Sequence, residues 1–169
     1  MKKRHYITHF ISGLSLLVCS YSVFSLDTDT PPTTNVGLSD SQVPAQYLPI
    51  EKSNIGNYTS YTFIDKSSVK LHPYNHLIRT YTRVTNFGSE QFLQYESKNK
   101  TPYRSVVSQE YVNCDLREYA KGLVENYESY FGKGKLINID HSPKRWETTD
   151  LDDRERQNLI VICSLPINN

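Results

Sequence analysis

From Tyr58 onward, apolar and polar residues alternate in short runs separated by turn-forming residues. Thr59–Ile64 has the period of two that belongs to a strand, and Ser67–Leu71 continues or follows it. Leu77–Thr85 is the clearest run. Leu77, Arg79, Tyr81 and Arg83 fall on one face, and Ile78, Thr80, Thr82 and Val84 on the other. Gln91–Ser97 reads as a third strand and Tyr103–Cys114 as a fourth, with Val106, Val112 and Cys114 sharing a face. The breaks between these runs are rich in Pro, Asn and Gly: His72–His76, Asn86–Ser89 and Lys98–Pro102. Strands joined by short turns predict an antiparallel meander.

The pattern then changes. Leu116, Tyr119, Ala120, Leu123, Val124 and Tyr127 follow the i, i+3, i+4, i+7 stripe of a helix. Tyr130–Lys135 is a turn and Leu136–Asp140 a strand; were 116–127 a strand, the two would pair as a hairpin. Near the end, Thr149 is placed to cap a helix beginning around Leu151. Asp150, Asp152 and Asp153 would lie in its first turn, where negative charge favours the helix N-terminus. Leu159, Ile160 and Cys163 would share a buried side of such a helix, although Leu159–Ser164 is equally readable as a strand.

The first 57 residues carry neither period. Lys2, Lys3 and Arg4 precede an apolar stretch from Phe10 to Phe24, and Val23-Phe24-Ser25 suits a cleavage site. Residues 1–25 are therefore expected to be a signal peptide. Residues 26–57, with Pro31, Pro32, Pro44 and Pro49 among polar residues, read as a flexible linker to a domain at 58–169. Ten of the thirteen tyrosines fall between Tyr58 and Tyr130, which supports the half-buried sheet there.

Loss of residues 1–25 would leave sixteen basic against eighteen acidic residues. So near-neutral a chain has no electrostatic footprint for nucleic acid. No second long apolar segment follows, so any membrane contact is expected to be peripheral.

Of the three cysteines, Cys19 lies in the export segment. Cys114 and Cys163 are expected to form a disulfide that ties the C-terminal element to the sheet, against the alternatives of a buried thiol or a catalytic cysteine. Closing that loop would stabilise the fold by about 4 kcal/mol in the chain-entropy description. His72 and His76 sit in a turn with Pro73 between them, and His141 follows Asp140 at a loop end. Neither set has the company of a metal site. No nucleophile motif or phosphate-binding glycine loop is present in the sequence. No catalytic residue, metal or cofactor is assigned, and the expectation is a chain that is not an enzyme.

Basic residues gather at strand ends, with aromatic residues close by. Lys98, Lys100, Tyr103, Arg104, Lys133, Lys135 and Trp146 are the candidate partner-binding residues, since interfaces favour cationic and aromatic side chains. Lys144 and Arg145 extend the set.

Together, Tyr61, Asp65–Val69, Arg79-Thr80-Tyr81, Tyr111-Val112-Asn113-Cys114, Arg117, Tyr127, Gly132, Trp146 and Ile162-Cys163 resemble the surface-adhesin protein E-like family of Gram-negative bacteria. A neighbouring family of small exported proteins shares the cysteine followed by Arg117 and Tyr119-Ala120. The resemblance implies an α+β fold: a curved antiparallel sheet with a C-terminal helix tethered by a disulfide. It also implies that 116–127 is a strand, against the local helical stripe. Its functional implication is a non-enzymatic exported adhesin for protein or glycan partners, host matrix proteins among them, with a homodimer as one assembly. The alternative is a periplasmic envelope accessory protein that never meets a host.

Overall fold

The structure is a computed structural model that describes residues 43–56, 58–93, 101–142 and 144–168. The signal peptide expected at 1–25 and the first part of the linker lie outside the described residues. Among the described residues, seven strands and one α-helix make the α+β fold. The strands are β1 (Tyr47–Ile55), β2 (Tyr58–His72), β3 (Asn75–Gln91), β4 (Tyr103–Asn113), β5 (Glu118–Tyr127), β6 (Leu136–Asp140) and the two-residue β7 (Glu147–Thr148). The helix is α1 (Asp153–Ser164). The first six strands lie in sequence order, each antiparallel to the next, and β7 joins the outer edge of β5. This is the expected meander, closed on one face by the C-terminal helix.

The alternation along β3 becomes two differently covered faces. Arg79, Tyr81 and Arg83 lie under α1, and Ile64, Val69 and Val112 complete that side of the core with Leu159 and Ile162 from the helix. Burying Leu159 and Ile162 contributes about 3–6 kcal/mol before entropy is counted. The helix begins where Asp152 accepts hydrogen bonds from the Arg154 and Glu155 amides. It stops before Pro166. There the Arg79 guanidinium donates to the Ile162 and Leu165 carbonyls at 3.1 and 2.7 Å, and the Leu165 amide also donates to Ile162, so the helix end is held. The Cys114–Cys163 disulfide joins this end to the β4–β5 turn.

Five local expectations are corrected. The linker does not run to residue 57, because Tyr47–Ile55 is an edge strand. Its isolated apolar residues have partners that the local pattern does not reveal. Leu48 and Ile50 pack on the helix-side core, and Tyr47 stacks on Phe131 at 4.8 Å. Pro49 lies where the β1–β2 register shifts, a position that tolerates its missing N–H.

Asn86–Ser89 is no turn, for β3 continues to Gln91 with a bulge against β4. Of the proposed strand Gln91–Ser97, Gln91 closes β3, Phe92 and Leu93 are irregular, and the remainder lies outside the described residues. The segment 116–127 is strand β5 between β4 and β6, as the family resemblance implied. Pairing on both edges overrides the helical stripe, and Gly122 in its middle already weakens a helix by about 1 kcal/mol. Thr149 does not cap the helix. It is buried in a separate short turn, hydrogen-bonded to the Arg117 carbonyl, and Asp152 caps instead. Leu159–Ser164, readable either way from sequence, is helical.

Candidate functional site

Beneath α1 lies a buried polar network. Glu110, 1% exposed, accepts from the Tyr81 hydroxyl at 2.6 Å and the Ser108 hydroxyl at 2.9 Å. Arg83 Nε lies 2.9 Å from the same carboxylate as a charge pair, although its N–H is not aligned for a hydrogen bond. The two terminal nitrogens of Arg83 grip Glu155 of the helix at 2.9 and 2.8 Å. Burial and the adjacent Glu110 push the Tyr81 hydroxyl well above its usual pKa. Burial works against ionised Glu155, but the hydrogen bonds and charge of Arg83 outweigh it and hold this carboxyl below the usual range. Every charged member has a partner of opposite sign, so the arrangement clamps helix to sheet.

On the opposite face, the loop after β5 folds back over one end of the sheet. Phe131 sits between Tyr47 and Phe63, the latter at 5.2 Å. Its amide donates to Asn86 Oδ1 at 2.9 Å, and the Gly132 amide donates to Ser105 Oγ at 3.0 Å. Phe131 takes the left-handed conformation at φ 56°, held there by these contacts. Lys133 and Lys135 project from this loop and are exposed.

The other end of the same face is open. A cleft of about 440 Å³ lies among His72 and Ile78 of β2 and β3, Tyr111 of β4, Ala120–Leu123 of β5, and His141, Lys144 and Trp146. Two features make it. β6 pairs with Val124–Tyr127 and β7 with Glu118–Tyr119, so among the described residues no strand covers the β5 edge at Ala120–Leu123. The segment between β6 and β7 passes this gap and brings His141, Lys144 and Trp146 to it. Gly122 supplies the second feature: a Cβ there would lie 2.7 Å from Tyr111 Cε2, so only glycine lets the ring rest across β5. His72 meets the same ring edge-on at 6.0 Å.

The partner-binding residues expected from sequence do not form one surface. Lys98 and Lys100 lie outside the described residues. Tyr103 is half-buried edge-on against Phe87 at 5.9 Å. Arg104 is committed to Glu90 at 3.2 Å and lies over the Tyr130 ring. Lys133 and Lys135 are near this end of β4, because Tyr127 pairs with Ser105. Trp146 is at the other end of β5, where Tyr119 pairs with Glu147. Eight residues of strand separate the two ends, about 26 Å. The cleft residues His72, Tyr111, Gly122 and His141 escaped sequence reasoning because three strands and the segment after β6 contribute them. A glycine inside a strand pattern was the one local signal of a close approach. Among the described residues, no three His, Cys, Asp or Glu side chains are grouped to hold a metal, and no helix is long and apolar enough to cross a membrane.

An ordered antiparallel sheet, clamped on one face by a disulfide-tethered helix and open at one end of the other, defines a small α+β domain. The chain belongs to the surface-adhesin protein E family, whose pattern it matches over residues 47–164. Solved structures carry the same fold. Crystal form II of Haemophilus influenzae protein E is 19% identical with a TM-score of 0.56, covering 78% of this chain and 96% of that one. Protein E from non-typeable Haemophilus influenzae is 17% identical with a TM-score of 0.58, covering 80% and 89%. No curated protein sequence matches the chain.

Proposed function

We propose that the protein is a non-enzymatic adhesin, exported by removal of residues 1–25 and displayed at the cell surface, where it binds host matrix proteins. Membership of the surface-adhesin family over residues 47–164 carries this reading. The segment between the cleavage site and β1 serves as a spacer between the domain and the envelope. Within the domain, the exposed Lys133 and Lys135 form the contact surface. They stand on a loop fixed to the sheet by Asn86, Ser105 and the Tyr47–Phe131–Phe63 stack. A rigid cationic loop loses little entropy on docking and steers acidic partners. Arg104 supports this loop from beneath through Tyr130.

The test is retention of the folded domain on immobilised laminin, vitronectin and fibronectin. Saturable binding to at least one, weakened roughly ten-fold by K133E/K135E, is expected for contacts of this kind. Absence of binding to all three would remove the matrix assignment. Undiminished binding by the double variant would remove the loop assignment.

A further inference from the structure

The geometry points to the cleft between the β5 edge and the Trp146 segment as a binding site for an acidic saccharide. This rests on the reading of the chain as a binding protein, but it uses a different surface. Four observations carry it. First, the lining residues that can carry charge are His72, Lys121, His141 and Lys144, and among the described residues no carboxylate lines the cleft. Asp140 pairs with Lys144 at 3.4 Å from outside the lining. Lys121 is shared with the helix side, where its charge helps to hold Glu155 ionised. Like charge therefore disfavours a cationic ligand and favours an anionic one.

Second, Tyr111 lies across Gly122 and backs the cleft with an aromatic ring, while Trp146, 43% exposed, stands at its margin. Flat aromatic surfaces with polar tips suit a ligand that has an apolar face and hydroxylated edges, which is the character of a sugar ring. Third, Ala120–Leu123 offers strand-edge backbone groups for hydroxyls. The gap is only four residues, about 13 Å, and the Trp146 segment passes beside it. That length is too short for strand addition by an extended peptide. Fourth, a cleft of about 440 Å³ falls within the size range of small-ligand sites, enough for one or two sugar rings.

Trp146 is the sole tryptophan, so its fluorescence reports on the cleft directly. The chain lacking residues 1–25 would be titrated with a heparin tetrasaccharide, 3′-sialyllactose, neutral lactose and hexaglutamate. At least one acidic saccharide is expected to change the emission saturably at a concentration of about 1 mM or below, with lactose and hexaglutamate inert. Saturable binding of 3′-sialyllactose identifies a carboxylate as sufficient for recognition; binding of the heparin fragment alone identifies a need for its sulfates or higher charge. K144E and H141A should each weaken binding roughly five-fold or more, whereas R156E, on the exposed side of α1, should not. The proposal is overturned if neither acidic saccharide changes the emission. Equal weakening by K144E and R156E, or equal binding of hexaglutamate, would overturn it as well. K133E/K135E should leave this titration intact, so failure of the matrix-binding loop and failure of the cleft are separately visible.

Discussion

Replacing Arg83 with methionine should be among the most damaging single changes to this fold. Arg83 is a buried cation between two carboxylates, Glu110 within the sheet and Glu155 on the helix. The two partners are unequal once it is gone. Glu155 keeps 12% of its side chain in solvent and can turn outward at modest cost. Glu110, at 1%, cannot. R83M therefore leaves a buried carboxylate with only the Tyr81 and Ser108 hydroxyls. Stranding one member of a buried pair costs about 3–5 kcal/mol. For a domain of this size that corresponds to a fall in melting temperature of roughly 12–25 °C.

The double variant R83M/E110Q removes the stranded charge; the glutamine oxygen accepts from one of the two hydroxyls and its amide donates to the other, which can turn to accept. It should be more stable than R83M, a favourable coupling of about 1–3 kcal/mol. Urea unfolding followed by Trp146 fluorescence at neutral pH, with the disulfide intact, measures both. A cost below about 1 kcal/mol for R83M, or a double variant no more stable than R83M, would refute the assignment of Arg83 as the clamp of helix to sheet.

Three further outcomes follow from the same contacts. Replacing Cys114 and Cys163 together with serine should lower stability by about 2–4 kcal/mol in urea unfolding, without loss of sheet content by far-ultraviolet circular dichroism. The carboxyl of Glu155 is held below its unfolded pKa, so its contribution is fully present above about pH 4.5 and is lost as pH falls through the lower folded value. A stability–pH series should show that acid limb in the native chain, and E155Q should flatten it. Finally, G122A should cost about 1–3 kcal/mol and shift Trp146 emission, because the added methyl displaces the Tyr111 ring. Adding Y111A should restore native-like chemical shifts along β5.

The order of strands was legible where alternation stops at a true turn: β2 gives way to Pro73-Tyr74 and β4 closes at Asn113. Arg79, Tyr81 and Arg83 were correctly grouped on one face, since period two assigns faces wherever the register is unbroken. The failures have a common cause. Leu48, Ile50 and Tyr47 look isolated because their partners are more than ten residues away. Asn86 and Gly88 resemble turn formers, yet Asn86 is fully buried in β3 as the anchor for Phe131. The Leu116–Tyr127 stripe satisfies helical spacing by coincidence: Leu116 is 65% exposed in a turn, while Tyr119 packs on the helix-side core and Ala120 lines the cleft. The same limit applies to the site. Lys133, Lys135 and Trp146 were recognised as residue types, but only the register of β5 reveals that they stand at opposite ends of the sheet.

Protease treatment of intact cells would decide whether the domain is displayed at the cell surface. The chain would be followed by immunoblot beside a periplasmic control protein. Surface display predicts loss of the chain while the control survives. Protection of both until the outer membrane is permeabilised would contradict it and would place the domain among periplasmic envelope proteins.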